Sequence, residues 1–348
     1  MRLCGEKMVK LTQYSKAAGC GCKIAPQVLD EILSGLHTEK NANLLVGNES
    51  KDDAAVYDIG NNQCIISTTD FFMPIVDDGF DFGKIAATNA ISDIFAMGGK
   101  PLMAIAVLGW PVEKIPVSEA GRVLQGAIEI CKKVGIPLAG GHSINCTEPI
   151  FGLAVTGLIE KQFIKKNNTA KEGDLLYLTK PLGVGILATA LKREKLQSEH
   201  YPTLLKVMTT LNTFGSVCGK LNYVNAMTDV TGFGLLGHLC EMLEDTGFTA
   251  EIEISKIPLI EGTALYADET IYPDGTTRNY NAVKDKVSGL TGLEFITLCD
   301  PQTSGGLLIS VSENKKTEFE NALKENNQNA FCIGKINKGG EKLISIKP

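Results

Sequence analysis

Asp52-Asp53-Ala54-Ala55-Val56-Tyr57 and, beyond Gly60-Asn61-Asn62, Cys64-Ile65-Ile66-Ser67-Thr68-Thr69-Asp70 decide the fold of the first half of the chain. Ala54 to Tyr57 and Cys64 to Thr68 read as two strands about a Gly-Asn-Asn turn. Each strand has an aspartate at one end: Asp53 opens the first and Asp70 closes the second. Outward from this pair, Phe82 to Met97 reads as a helix closing on Gly98-Gly99. Met103 to Leu108 is a strand, Ser118 to Val134 an amphipathic helix, Ile136 to Ala139 a short strand and Ile150 to Ile159 a longer one. The expectation is a β-rich half with helices laid on one side.

Residues 1–25 lack sustained periodicity, and Pro26 to Leu36 has the apolar spacing of a short helix. Lys161 to Gly173 is polar and poor in apolar residues, as a linker between two domains would be. A second alternating set follows it. Leu175 to Leu178, Glu251 to Ile254, Gly306 to Val311, Phe331 to Ile336 and Leu343 to Ile346 are strand candidates. Gly185 to Leu191, Pro202 to Cys218, Leu235 to Leu243 and Lys315 to Asn326 are helix candidates. The second half is therefore also α/β.

With 348 residues the chain suits two domains, and an apolar content of 44% can fill their cores, which excludes disorder for most of its length. The net charge is −6 and no basic stripe is visible, so a nucleic-acid partner is not expected. An anionic ligand must instead be neutralised locally. No apolar run approaches the length of a membrane span, and the N-terminus lacks a signal-peptide core, so no membrane association and a cytoplasmic location are expected. The 10 cysteines are scattered through a long chain, which favours reduced thiols over a disulfide framework.

The chemistry is carried by aspartates beside apolar sequence. Asp53 and Asp70 flank strands, Asp93 lies one helical turn after Asn89 on the same helix face, and Asp229 ends Ala226-Met227-Thr228-Asp229. A single such aspartate is ordinarily a turn or cap residue. Several beside buried sequence, with few basic neighbours, call for a hard cation such as Mg²⁺, which takes carboxylate oxygens and keeps positions open for phosphates. Gly232-Phe233-Gly234-Leu235-Leu236-Gly237 matches a dinucleotide fingerprint, but Thr228-Asp229-Val230-Thr231 stands where that motif needs an apolar strand. Gly140-Gly141-His142-Ser143 reads either as a tight turn or as a backbone cradle with a hydroxyl and an imidazole beside it. Gly19-Cys20-Gly21-Cys22-Lys23 places two thiols among glycines in a segment too polar for a core. It lacks the second pair of a zinc site. A nucleophilic or chalcogen-handling thiol on an arm remains, with Lys23 placed to favour the Cys20 thiolate or to reach a phosphate.

These stretches, together with Ala87-Thr88-Asn89-Ala90-Ile91-Ser92-Asp93 and Cys299-Asp300-Pro301-Gln302-Thr303-Ser304-Gly305-Gly306, resemble the selenophosphate synthetases (selenide, water dikinases) from about residue 10 to the C-terminus. The aspartate and glycine motifs are also similar to a wider superfamily of ATP-binding enzymes that includes aminoimidazole ribonucleotide synthetase and thiamine-monophosphate kinase. The Cys-Gly-Cys-Lys arm narrows the resemblance to selenium chemistry.

The resemblance implies a two-domain α+β / α/β chain. Its parts would be an arm over 1–25, an N-terminal ATP-binding domain over 26–160 whose mixed sheet pairs into a β-barrel in a homodimer, a linker over 161–173, and a C-terminal α/β sandwich over 174–348. It implies that ATP, hydrogen selenide and water give selenophosphate, AMP and inorganic phosphate, with Mg²⁺ as cofactor and K⁺ as activator. Matched position by position, Asp53, Asp93 and Asp229 are implied metal ligands. Lys23, Asp70, Gly141, His142 and Ser143 are implied nucleotide contacts, and Cys20 and Lys23 implied catalytic residues. A selenium-delivering protein is a further partner that this chemistry leaves room for. The competing expectations are a small-molecule kinase of the same superfamily and a non-catalytic selenium or metal carrier. The aspartates argue against the carrier, because a thiol carrier has no use for hard-cation ligands.

Overall fold

The computed structural model describes residues 9–15, 18–19, 28, 31–32, 41–47, 52–290 and 294–348. The first half is a six-stranded sheet in the order β1-β2-β3-β6-β4-β5. Its strands are β1 (Leu44–Val46), β2 (Ala55–Gly60), β3 (Gln63–Phe72), β4 (Lys100–Trp110), β5 (Leu138–Asn145) and β6 (Ile150–Glu160). The pairings are antiparallel except β4 with β5. Within one chain this sheet is open. The β2–β3 hairpin turns at Asn61 and Asn62, both with positive φ, as a tight turn of this type requires.

One face of the sheet is covered by two helices, Gly79–Ala96 and Val117–Lys133. Asp78 caps the first by accepting from the Asp81 amide at 3.1 Å. The two helices cross backbone to backbone at Gly83 and Gly126. A Cβ on Gly83 would lie 1.9 Å from the Val123 carbonyl oxygen, and one on Gly126 2.0 Å from that of Phe80. The long helix Gly79–Ala96 is buried nearly all round, because the sheet holds one side and elements of the second half close the other. Its polar residues Asn89, Ser92 and Asp93 are buried as well, and each needs a partner.

The second half is a seven-stranded mixed sheet in the order β10-β13-β9-β12-β7-β11-β8. Its strands are β7 (Leu175–Leu178), β8 (Val224–Asp229), β9 (Phe248–Glu253), β10 (Val287–Ser288), β11 (Leu307–Val311), β12 (Phe331–Lys338) and β13 (Ile344–Lys347). Leu176 and Leu178 face a core with the helix Gly234–Leu243, whereas Leu175 and Tyr177 face another with the helix Lys316–Glu325. Both faces are covered, which is why β7 reads as a continuous apolar run and β11 as one broken only by Ser310. The core of the first half continues into residues of the helices Val184–Lys192, His200–Thr209 and Thr263–Asp268.

Pro202 to Cys218 is not one helix. It forms the helices His200–Thr209 and Gly215–Lys220. The break lets Asn212 turn inward to donate to Ser92 Oγ at 2.8 Å and to the Gly305 carbonyl at 2.9 Å. Gly140 to Ser143 is not a turn either. It belongs to β5, in register with β4. The helices Thr263–Asp268 and Asp274–Val283 lie in a stretch whose mixed polar composition carries no clear period. The Pro26 to Leu36 helix falls mostly outside the described residues.

Candidate active site

β3 brings alternate residues to the helix-covered face, and Thr68 and Asp70 lie on that side with buried Ile66 and Phe72. Across from them, Asn89 and Asp93 project from the long helix at a four-residue spacing. Thr68 Oγ1 donates to Asp93 Oδ2 at 2.5 Å, and Asn89 Nδ2 donates to Asp70 Oδ2 at 2.6 Å. The second half closes on the same place. Ser304 N donates to Asn89 Oδ1 at 2.7 Å, and Thr228 Oγ1, one residue before Asp229 at the end of β8, donates to Asp53 Oδ1 at 2.8 Å. Asp52 Oδ1 accepts from the Asn167 amide at 2.8 Å, which ties the start of the Asp53 strand to the segment between the two halves.

Asp53, Asp70, Asp93 and Asp229 thus converge at the seam between the halves, near enough to act on one another's charge. Burial first, then Asp229, holds the Asp53 carboxyl well above the usual carboxylate range. Burial first, then Asp70, Asp229 and Asp53, does the same to Asp93. Uncompensated like charges in a closed-off place raise pKa in this way, and a cation between them would reverse it. Asp53 Oδ2 is shut off from solvent without a hydrogen-bond partner among the described residues. A hard divalent cation suits this all-oxygen donor set. Among the described residues, no three His, Cys, Asp or Glu side chains meet at the spacing of one preformed metal centre. Asp53, Asp93 and Asp229 are close enough to feel one another's charge without forming one closed centre.

Gly141, His142 and Ser143 lie apart from this group within one chain. The sheet register runs Asp70 to Leu153, Leu153 to Ala106 and Ala106 to Gly141. Three strand steps of ~4.8 Å place Gly141 roughly 14 Å from Asp70. Gly141 has no room for a side chain, since a Cβ would sit 2.1 Å from the Ala106 carbonyl oxygen. Cys20 and Lys23 lie outside the described residues.

Several residues at the seam escaped the sequence reading. Lys180 is 5% exposed and donates to the carbonyls of Thr210 at 2.6 Å and Ser304 at 2.8 Å. Burial pulls its ammonium down to about 7, against an upward pull from Asp229. The available signal was a lysine closing the buried strand β7, which must find partners inside. Thr68, Thr228 and Asn212 carried no signal, because threonine and asparagine are common in such places. His238, one helical turn beyond Gly234, accepts at Nε2 from the Thr231 amide at 3.1 Å, and its Nδ1 faces Glu241 Oε2 at 3.1 Å. It braces the turn after Asp229. Among the described cysteines all seven are free. Burial raises the thiols of Cys131 to about 11 and of Cys240 and Cys299 to about 12, so these are inert.

Two family models match the chain: "AIR synthase related protein, N-terminal domain" over residues 51–159 and "AIR synthase related protein, C-terminal domain" over residues 171–346. The selenide, water dikinase of Colwellia psychrerythraea is 56% identical to it, over 97% of this chain and 98% of that protein. That of Pasteurella multocida is 53% identical, over 94% of each. Among solved structures, the thiamine-monophosphate kinase of Stenotrophomonas maltophilia K279a superposes with a TM-score of 0.65 at 16% identity, covering 94% of this chain and 96% of that one. The hydrogenase maturation protein HypE superposes with a TM-score of 0.62 at 17% identity, covering 87% of each. These two likenesses concern the fold. The selenide, water dikinases match in sequence over nearly the whole chain, and with both AIR synthase related domains in place this chain belongs to the selenide, water dikinase family.

Proposed function

We propose that this chain makes selenophosphate from ATP, hydrogen selenide and water, releasing AMP and inorganic phosphate. The observation that carries the nucleotide half of this reading is the meeting of Asp53, Asp70, Asp93 and Asp229 at one seam, with Asp53 and Asp93 driven toward protonation unless a cation joins them. Asp53, Asp93 and Asp229 would hold Mg²⁺. When bound, Mg²⁺ supplies charge neutralisation for a triphosphate, which is most of what phosphoryl transfer needs. Asp70 is steadied by Asn89 for contact with the nucleotide. Gly141, His142 and Ser143 contribute from the far side of the sheet, which a ligand as long as an extended nucleoside triphosphate can reach. Activation by K⁺ belongs to the same reading.

The selenium half rests on Cys20 and Lys23. Selenide is a strong nucleophile and needs no general base. It needs to be kept from air and held in line with the γ-phosphate; its attack there would release ADP, whose hydrolysis by water would give AMP and inorganic phosphate. Cys20 handles the selenium and Lys23 steadies the transferred phosphoryl group. The chain would work in the cytoplasm, in four parts: arm 1–25, ATP-binding half 26–160, linker 161–173 and C-terminal half 174–348. A selenium-delivering protein is the partner this chemistry calls for, because free selenide oxidises readily.

The test is ³¹P NMR of protein, Mg-ATP and anaerobic selenide. Selenophosphate with AMP is expected, and ADP in place of AMP points to a small-molecule kinase instead. Cys20→Ser is expected to abolish selenide-dependent AMP formation while Mg-ATP binding, followed by calorimetry, stays within twofold. Normal turnover in that variant removes Cys20 from the mechanism.

A further inference from the structure

The motif Cys299 to Gly306 has no role in the proposed reaction, yet its turn touches Asn89, Lys180, Asn212 and the backbone beside Asp229. Ser304 offers its amide to Asn89, which holds Asp70, and its carbonyl to Lys180. The Gly305 carbonyl accepts from Asn212, and the Gly306 carbonyl accepts at 2.8 Å from the amide of Val230, next to Asp229. Ser304 is fully buried with a φ of +56°, and its Oγ has no hydrogen-bond partner among the described residues. A serine held in the left-handed region persists only where its surroundings over-determine it, and such places cluster at functional sites.

The same turn meets the start of the arm. The described part of residues 9–19 is pinned along its length. Leu11 is buried and its amide donates to the Asp77 carbonyl at 3.3 Å. The Thr12 amide and hydroxyl both donate to Asp77 Oδ1. Lys192 Nζ donates to the Ser15 carbonyl at 2.8 Å, and the Gly19 amide donates to the Met73 carbonyl at 3.1 Å. Gly19 is buried with a φ of +52°. A Cβ there would lie 2.4 Å from Thr303 Oγ1 and 2.6 Å from Ile75 Cδ1.

We infer that Thr303 and Gly19 are positioning residues, a seat that fixes the root of the arm against the turn serving the aspartates and so sets where Cys20 begins. Thr303 touches the arm at Gly19, while Ser304 beside it touches Asn89 and Lys180. One turn therefore ties the selenium-handling segment to the nucleotide-holding group. Thr303 and Gly19 act through the arm, on the selenium step and not on nucleotide affinity. The inference deepens the function proposed above and rests on it.

The test compares the full-length parent, Gly19→Ala, and Gly19→Ala combined with Thr303→Ala and Ile75→Val, which remove the two colliding atoms. Three quantities are read: the Mg-ATP dissociation constant, kcat for selenide-dependent AMP formation, and the iodoacetamide alkylation rate of the Cys20 peptide by mass spectrometry. Gly19→Ala is expected to lower kcat at least tenfold and to speed Cys20 alkylation at least threefold, with Mg-ATP affinity within twofold of the parent. The triple variant is expected to recover at least threefold in kcat and to slow the alkylation again. Parent-like kcat and alkylation in Gly19→Ala overturn the seat. So does a parallel loss of Mg-ATP affinity and turnover, which is what a merely structural contact produces. If the parent forms no AMP from selenide, the proposed function fails on its own account. Alkylation then decides the seat, and an unchanged rate in Gly19→Ala overturns it.

Discussion

Asp53 shows how burial turns an ordinary side chain into a candidate cation ligand. Thr228 takes one of its carboxylate oxygens, and the other is closed off without a hydrogen-bond partner among the described residues. Buried carboxylate oxygens in folded proteins are normally satisfied, so an exception asks for an explanation, and a cation supplies one. Asp53→Ala is therefore expected to weaken Mg-ATP binding at least tenfold, ~1.4 kcal/mol, in titration calorimetry. Binding of metal-free ATP should change little, and equal affinities with Mg²⁺ for parent and variant would count against a ligand role. Asp53, Asp70, Asp93 and Asp229 were legible in the sequence because a carboxylate beside an apolar run is conspicuous. Their fixers Thr68 and Thr228 were not, because a threonine on a strand is unremarkable until its hydroxyl has a neighbour.

Among the secondary-structure elements, the helix Val184–Lys192 is held at its start by residues more than a hundred positions away. Asp300 Oδ2 accepts from the Gly185 amide at 2.9 Å, and Gln302 Oε1 accepts from the amides of Gly183 and Val184 at 3.2 Å. Gly185 is required where the carboxylate sits, since a Cβ would lie 2.4 Å from Asp300 Oδ1. Local sequence offers this helix no side-chain cap, and its amides are satisfied from elsewhere. Burial raises the Asp300 carboxyl from 3.8 to about 8, against the lowering effect of Gln302 and the backbone amides. Below pH ~4 the group is protonated in folded and unfolded chains alike. Between about 4 and 8 the unfolded chain gives up the proton and the folded chain keeps it, so this contribution to stability falls as pH rises. Asp300→Asn removes that dependence. Urea unfolding at pH 5 and pH 8 should show the parent losing on the order of 4 kcal/mol relative to the variant. A pH-independent difference would show that Asp300 is ionised throughout.

Taken as one body, the described residues cover both faces of the second sheet and only one face of the first. On the bare face lie Tyr57, Ile59, Phe71 and Ile105, exposed at 40%, 51%, 50% and 44%. A group of large apolar residues on an uncovered sheet marks an association surface. It supports a homodimer in which two such sheets face each other and close a barrel. Ile105→Lys is expected to prevent the proposed dimer in sedimentation velocity while leaving the chain folded by circular dichroism, because the residue is exposed. A parent that sediments as a monomer at micromolar concentration would remove the dimer.

Periodicity and turn chemistry were enough to place the β2–β3 hairpin, the long helix Gly79–Ala96 and most strands of the second sheet. Those signals are local, since alternation and capping act over a few residues. They failed where a distant partner overrode them. Asn212 breaks the Pro202 to Cys218 helix to reach Ser92 and Gly305, and the register with β4 draws Gly140 to Ser143 into a strand. The chemistry of the aspartates was written in their residue type and neighbours. Their meeting was not, because it depends on a hydroxyl of β8 reaching the start of β2 and an amide of the 303–306 turn reaching Asn89. Such contacts join residues 175 and 215 positions apart. They exist only once the two halves have closed on each other and burial favours a hydrogen-bond partner for groups such as Asn89 and Thr228.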